Sequence, residues 1–264
     1  MSNWQQIGAY TRCLKADNPG PMTLDGTNSY VLAGADSSTV VVVDPGPLLE
    51  EHLQALAASG KVGLILITHH HGDHTDGSAR LHQLTGAPVR AAHPDFCHMG
   101  EPLDDGEVIR AAGLEITVLA TPGHTLDSVC FVLADDGGHG SVLTGDTVLG
   151  QGSTVICYPD GRLSHYLESL QKLRLAGLAQ KEVKALPGHG PVLASLAAAA
   201  AGYQDHRRER LAQVSAAVVL LQERTGTAPD ATAVTAEVYG DVPANLQGAA
   251  RLSVEAQLDY LRTV

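Results

Sequence analysis

Five side chains able to bind a divalent metal, His69, His70, His71, Asp73 and His74, crowd into six consecutive positions of the stretch Thr68-His69-His70-His71-Gly72-Asp73-His74. Imidazole and carboxylate are donors that zinc and similar cations take, and a cluster on one tight turn needs no distant folding coincidence to form. Four of the five fall in His-x-His-x-Asp-His order, whereas His70 occupies the variable position and is expected to point away from the metal. Three further candidates stand alone: His124 in Thr121-Pro122-Gly123-His124, Asp146 in Thr144-Gly145-Asp146, and His189 in Pro187-Gly188-His189-Gly190. His69, His71 and His124 make a three-imidazole set that leaves a coordination position open for water; Asp73, His74 and His189 hold a second metal; and Asp146 bridges the two. Two cations about 3.5 to 4 Å apart bring the pKa of a shared water near neutrality and stabilise both attacking and leaving oxygens, which is hydrolytic chemistry. Asp73 and Asp146 are the carboxylates expected to carry it. No Gly-x-Ser-x-Gly elbow or phosphate-cradling P-loop suggests another chemistry.

The elements that must position these residues alternate strand-like and helix-like segments. Ser29–Leu32 and Thr39–Val43 are β-branched runs around Gly34–Ser38, a hairpin pattern, and Asp44-Pro45-Gly46-Pro47 stops the second strand. Helical spacing over Leu48–Ser59 ends at Gly60, and the apolar run Val62–Ile67 then leads directly into the histidine cluster. A short helix over Gly77–Leu84 and a strand at Val89–Ala92 precede a loop, Asp95–Glu107. Strands at Leu114–Leu119, Val129–Leu133, Ser141–Leu143 and Val183–Leu186 follow, with an amphipathic helix over Leu163–Leu178 before the last of them. Every candidate ligand therefore sits just past the C-terminal end of a strand, where open α/β sheets gather their ligands.

From about Gly202 the pattern becomes helical, over His206–Gln222, Thr232–Tyr239 and Ser253–Arg262. The chain accordingly divides into a hydrolase domain, 1–201, and a C-terminal helical extension, 202–264. Residues 200–264 carry six Arg and no Lys against eight Asp and Glu, so Arg207-Arg208-Glu209-Arg210 is expected to be a solvated helix face and not a nucleic-acid patch. The 264 residues hold 17 Lys and Arg against 29 Asp and Glu, and a net charge of −12 repels polyanions and anionic membranes. Metal ions would add local positive charge that this count omits. Cys13, Cys97, Cys130 and Cys157 form no Cys-x-x-Cys pair, which suits reduced thiols in a cytoplasmic protein; the first seven residues show no secretory pattern, and no run reaches membrane-spanning length.

The set Thr68–His74, His124, Asp146 and His189 resembles the metallo-β-lactamase-fold hydrolases, whose hallmark is Thr-His-x-His-x-Asp-His followed by single His, Asp and His ligands. The resemblance implies a four-layer αββα sandwich, with the metals at one edge between its two sheets. Leu24–Tyr30, Val43–Pro47 and the C-terminal helices are most similar to the group typified by lactamase-β-like protein 2, which implies a winged-helix-like tail. Zinc β-lactamases of the best-known subclass place cysteine where this chain has Asp146, so β-lactam hydrolysis is expected to be weak at best. The redox members of the superfamily carry Glu where His71 stands, which argues against di-iron redox work.

Together these features lead to an expected cytoplasmic hydrolase with two divalent cations, zinc foremost and manganese or iron as alternatives, in which a metal-activated water attacks an ester-like bond. The substrate is a phosphodiester in short single-stranded RNA or a small thioester of the glyoxalase II kind. No membrane partner is expected and a homodimer is compatible with the sequence. A non-enzymatic binding module is the remaining class, and the open coordination position disfavours it. Among the other histidines, His93, His98 and His139 read as solvated loop residues. His165, with Tyr158 and Tyr166, is placed near a loop, Gln151–Gly161, that follows Asp146 and overhangs the substrate. Thr125 and Asp127 are candidates to orient the ligands or to cap the turn after His124.

Overall fold

A computed structural model describes residues 4–263. The first three residues, where the N-terminal reading begins, lie outside the described residues. Two sheets face one another. The first runs in order through β1 (Gln5–Gln6), β2 (Thr11–Lys15), β3 (Asn28–Leu32), β4 (Thr39–Val43), β5 (Lys61–Leu66) and β6 (Val89–Arg90); the second has the order β11-β10-β9-β8-β7, built from β7 (Val108–Ala111), β8 (Leu114–Ala120), β9 (Val129–Leu133), β10 (Gly140–Gly145) and β11 (Val183–Pro187). The hairpin between β3 and β4 forms as expected, with Tyr30 opposite Val43 and Leu32 opposite Val41. Strands β4, β5 and β6 are parallel, as are β10 and β11, so each half of the molecule delivers chain to the same edge.

Helices α1 (Glu50–Ala57), α2 (Gly72–Thr75) and α3 (Ser78–Thr85) belong to the first half; α4 (Leu163–Leu178), α5 (Leu196–Thr225), α6 (Ala231–Tyr239) and α7 (Gln247–Thr263) belong to the second. Period-two alternation splits the strand side chains between two cores. Leu32, Val41, Val43 and Leu66 meet Ile116, Val118, Phe131 and Leu143 between the sheets, while Val40, Val42 and Ile65 pack outward against Leu53, Leu56 and Leu81 of α1 and α3. On the far side, Tyr166, Leu170 and Leu173 of α4 cover Cys130, Val142 and Ala185, with Leu196 and Ala200 of α5 joining them. These are the four layers of an αββα sandwich.

The structure also departs from the sequence reading. Strands β1, β2 and β7 were not foreseen, because Gln5–Gln6 is only two residues long and Thr11–Lys15 and Val108–Ala111 mix charged and apolar residues. Leu196–Ala201 and His206–Gln222, read as separate pieces on either side of a boundary, are one helix of 30 residues. Gly202 suggested a break, yet a Cβ there would meet nothing within 4 Å; it lies on an open helix face, and packing on both sides carries the helix through. Its first turns pack on α4, whereas Val214, Ala217 and Leu221 farther along form a separate core with Val234, Val254 and Leu258 of α6 and α7. No strand follows β11 among the described residues, and no helix is long and apolar enough to cross a membrane.

Candidate functional site

The seven sequence-predicted ligands converge on the shared edge of the two sheets. His69 and His71 follow β5, Asp73 and His74 sit on α2, His124 follows β8, and Asp146 and His189 come directly after β10 and β11. Their donor atoms fall into three overlapping groups, His69/His71/His124, His69/His74/Asp146 and Asp73/His74/His189, with atoms inside each group within 4.8 Å of one another. In the first, His71 Nδ1 lies 3.1 Å from His69 Nε2 and 3.0 Å from His124 Nε2. In the last, His189 Nε2 is 3.0 Å from Asp73 Oδ2 and 3.3 Å from His74 Nε2. Asp146 stands between them, with Oδ1 3.5 Å from His74 Nε2 and Oδ2 3.4 Å from His189 Nε2 and 3.9 Å from His124 Nε2.

The outer ring nitrogens decide what the inner ones present. His124 Nδ1 donates to the Val155 carbonyl at 2.7 Å and His189 Nδ1 to the Gly26 carbonyl at 3.2 Å, which turns an unprotonated Nε2 inward in each neutral ring. His74 Nδ1 is 2.8 Å from Asp44 Oδ2, and the same carboxylate accepts from the Thr68 backbone at 2.8 Å and from Thr68 Oγ1 at 2.7 Å. Thr68 Oγ1 in turn lies 3.1 Å from His69 Nδ1, so Asp44 fixes one ring from each set. It does so from the left-handed backbone region, φ 51°, a conformation that Asp tolerates better than most residues. The sequence reading took Asp44 for a strand stop and for part of the Val43–Pro47 resemblance stretch, and gave it no role at the site. Its carboxylate works across 24 and 30 residues of chain, a distance no local pattern reveals.

The His189 turn is likewise held from afar. Asn28 Nδ2 donates to the Pro187 and Gly190 carbonyls at 3.0 and 2.9 Å, and the Tyr30 hydroxyl donates to Pro187 at 2.8 Å. Gly188 leaves the room the ligands need: a Cβ there would stand 2.6 Å from Asp146 Oδ1 and 2.7 Å from the His74 ring. The remaining candidates lie outside the cluster. His70 turns to Asp127, Nδ1 to Oδ1 at 2.8 Å, as expected of the variable position, and Thr125 Oγ1 donates to that same oxygen, so this pair braces the loop and not the seven ligands. Tyr166 is fully buried, its hydroxyl donating to Thr147.

The two halves of the cluster differ electrostatically. Burial pushes His69 well below the ordinary histidine range, and it pushes His71 down to about 4, with His124 and His70 adding to the effect; His124 is also lowered by burial. These rings present lone pairs. Burial would lower His74 and His189 too, but Asp44 and Asp146 hold the first well above its usual value, and Asp146 with Asp73 hold the second at about 9. Asp146 stays ionised despite its burial because His74 and His189 face it. Its Oδ1 is buried with no hydrogen-bond partner. Imidazole nitrogens converging to about 3 Å of one another, backed by an unsatisfied carboxylate oxygen, are a donor set that fits divalent metal.

Beside this cluster opens a cavity of about 280 Å³. His124 and Asp146 form part of one wall, Met22, Leu24 and Leu149 continue it, and the other side is closed by α5 and by the chain around Val242 and Leu246. Arg207 of α5 reaches into this region and is only 5% exposed; the expectation that the whole Arg207–Arg210 cluster is a solvated face holds for exposed Arg208 and Glu209 but not for Arg207.

Two facing sheets between helical layers thus carry, at their shared edge, a histidine–aspartate cluster whose donor set fits divalent metal. The model of the metallo-beta-lactamase superfamily matches residues 22–189, and the chain belongs to that superfamily of hydrolases. It is 32% identical over 243 residues to an atrochrysone carboxyl ACP thioesterase of Aspergillus fumigatus, covering 87% of this chain and 73% of that protein. It is also 32% identical over 265 residues to the beta-lactamase-like protein 2 homolog of Caenorhabditis elegans, covering 96% and 84%. Among solved structures, a metallo-beta-lactamase family protein from Thermus thermophilus superposes with a TM-score of 0.76 at 24% identity, over 96% of this chain and 93% of the other. With 96% of the chain covered in each of the last two comparisons, the C-terminal helices lie largely within the region shared with those two proteins.

Proposed function

We propose that this chain is a thioester hydrolase dependent on two divalent cations, zinc foremost. His69, His71 and His124 would hold one cation, Asp73, His74 and His189 the other, with Asp146 between them. When bound, such cations lower the pKa of water and polarise a carbonyl oxygen. The chain's own groups do the rest. Asp73 engages His189 and His74 through Oδ2, which leaves Oδ1 to orient a water by accepting its proton in a hydrogen bond. Asp44 and the Val155 and Gly26 carbonyls keep His74, His124 and His189 in the tautomers that face inward. A thiol with a pKa of about 8.5 leaves readily as thiolate near neutral pH, so the C–S bond breaks without a dedicated acid.

The observation that carries the thioester reading is the cavity that reaches His124 and Asp146. Its walls set aliphatic side chains, Met22, Leu24, Leu149, Val242 and Leu246 among them, beside polar ones, and it is too small for a nucleic-acid chain to lie along. The net charge of −12 disfavours a long polyanion, and a relative 32% identical over an alignment covering 87% of this chain is named a thioesterase. The competing reading is cleavage of short single-stranded RNA. Acyl thioesters, single-stranded RNA and nitrocefin, each offered with and without chelator, separate the two: chelator-sensitive turnover of thioesters is expected, and RNA cleavage in their place overturns the proposal. Metal analysis of the same preparation is expected to give two equivalents per chain.

A further inference from the structure

Arg207 is the most buried Lys or Arg among the described residues. Its guanidinium donates through Nη2 to the Thr154 carbonyl and lies over the Tyr166 ring, 5.1 Å from the centroid, but it reaches no carboxylate among the described residues and its Nε has no partner. A carbonyl and a ring face compensate a buried cation only in part. One turn on, Arg210 sits half-buried over Tyr239, 5.3 Å from its centroid, donating to His206 Nε2 at 3.4 Å and to Gln213 Oε1 at 2.8 Å, and His206 keeps a buried Nδ1 without a partner. Burial, then Arg207 and Arg210, push that imidazole below its usual range, so it enters as a neutral hydrogen-bonding group.

All three side chains line the cavity beside His124 and Asp146, and Asp146, already committed to the histidine cluster, is the one carboxylate in its described lining. A chain with twelve net negative charges has therefore gathered two guanidiniums and an imidazole, with two polar atoms unsatisfied, in the wall of its candidate substrate cavity.

We propose that Arg207 and Arg210, assisted by His206, form a subsite for an anionic group on the substrate, a carboxylate or a phosphate. The inference rests on the thioester reading for the substrate's reactive end and adds a second recognition point at the other. Charge-assisted hydrogen bonds from a guanidinium fork are roughly twice as strong as neutral ones, enough for about tenfold or more in discrimination between an anionic substrate and its neutral isostere. A carboxylate would come from the acyl group and a phosphate from the thiol arm that carries it.

Two matched pairs separate these sources: hexanoyl against adipoyl esters of N-acetylcysteamine, and hexanoyl pantetheine against hexanoyl 4′-phosphopantetheine. The wild-type enzyme is expected to favour the anionic member of one pair by about tenfold or more in kcat/KM. In Arg210→Gln and Arg207→Gln that ratio is expected to fall about tenfold, chiefly through KM. A purely structural role would lower both members alike and leave the ratio standing, which overturns the proposal, as does a wild-type enzyme indifferent to both pairs. Arg210 is half-buried, so its variant keeps the test alive if Arg207→Gln does not fold. If no thioester is turned over, the thioester reading fails and direct binding decides this one: adipate and inorganic phosphate are titrated calorimetrically into wild type and Arg210→Gln. Binding of either that weakens about tenfold in the variant upholds the subsite; absent binding, or binding equal in both, removes it.

Discussion

The floor of the site and its roof are built on different principles. On the floor, the seven candidate ligands come from strand ends and one short helical turn, and four of the five rings are held by an outer partner, Thr68 Oγ1, Asp44, the Val155 carbonyl or the Gly26 carbonyl. The roof consists of α5 and the chain beyond it, held by a small core of its own around Val214, Val234 and Val254, and it meets the cavity with aliphatic side chains and two arginines. On the function proposed above, the floor sets the reaction class, and the roof, through shape and charge, selects the molecule that reacts.

If that division is right, damage to the floor should abolish turnover across every substrate, and damage to the roof should redistribute it. The largest effect is expected at Asp146, which faces His74, His124 and His189. Asp146→Ala should cost about 100-fold or more in kcat, above the range typical of residues that only orient ligands, together with one metal equivalent. Metal content by mass spectrometry and turnover on the thioester pairs check it, and a variant that keeps both metals and full activity breaks the comparison. Next comes Asp44→Asn. Asparagine also tolerates φ 51°, so this change removes charge without adding backbone strain. Metal retention against a chelator should weaken about 10- to 100-fold, because the His74 and His69 rings lose their common anchor. Unaltered retention would show that Asp44 serves the turn and not the metals.

The floor was largely legible in the sequence for a physical reason. A ligand that follows directly upon a strand is placed by that strand, so His69 to His74, His124, Asp146 and His189 could each be read from a short window and the sheets could be trusted to gather them. Asp44 and Asn28 act across the fold, from hairpin strands onto turns far along the chain, and the only local trace was their position at strand boundaries. The roof was least legible. Gly202 looked like an end because propensity is a local quantity, whereas the continuity of α5 comes from α4 on one side and from α6 and α7 on the other. Arg207 looked solvated because residues 200–264 are slightly acidic overall, six Arg against eight Asp and Glu, and only the tertiary packing of α5 against Tyr166 and Thr154 reveals it as buried.

The smallest predicted effect separates the floor from the roof by acid. His52 on α1 is 8% exposed, its Nε2 2.9 Å from Ser29 Oγ beneath the turn that carries Asp44, and burial lowers its pKa from 6.5 to about 4. The folded protein therefore keeps this ring neutral while the unfolded chain protonates it. Stability from this group is complete above pH 6.5 and is lost as the pH falls toward 4, the direction in which the unfolded state binds the extra proton. Between about pH 7 and 5 the loss should be about 1 to 2 kcal/mol. Denaturant unfolding of wild type and His52→Leu at both pH values measures it, since the variant lacks the proton site and should lose that much less stability across the interval. Equal losses in the two proteins would place the acid sensitivity elsewhere, and the half-buried His206 of the roof would then be the group to replace.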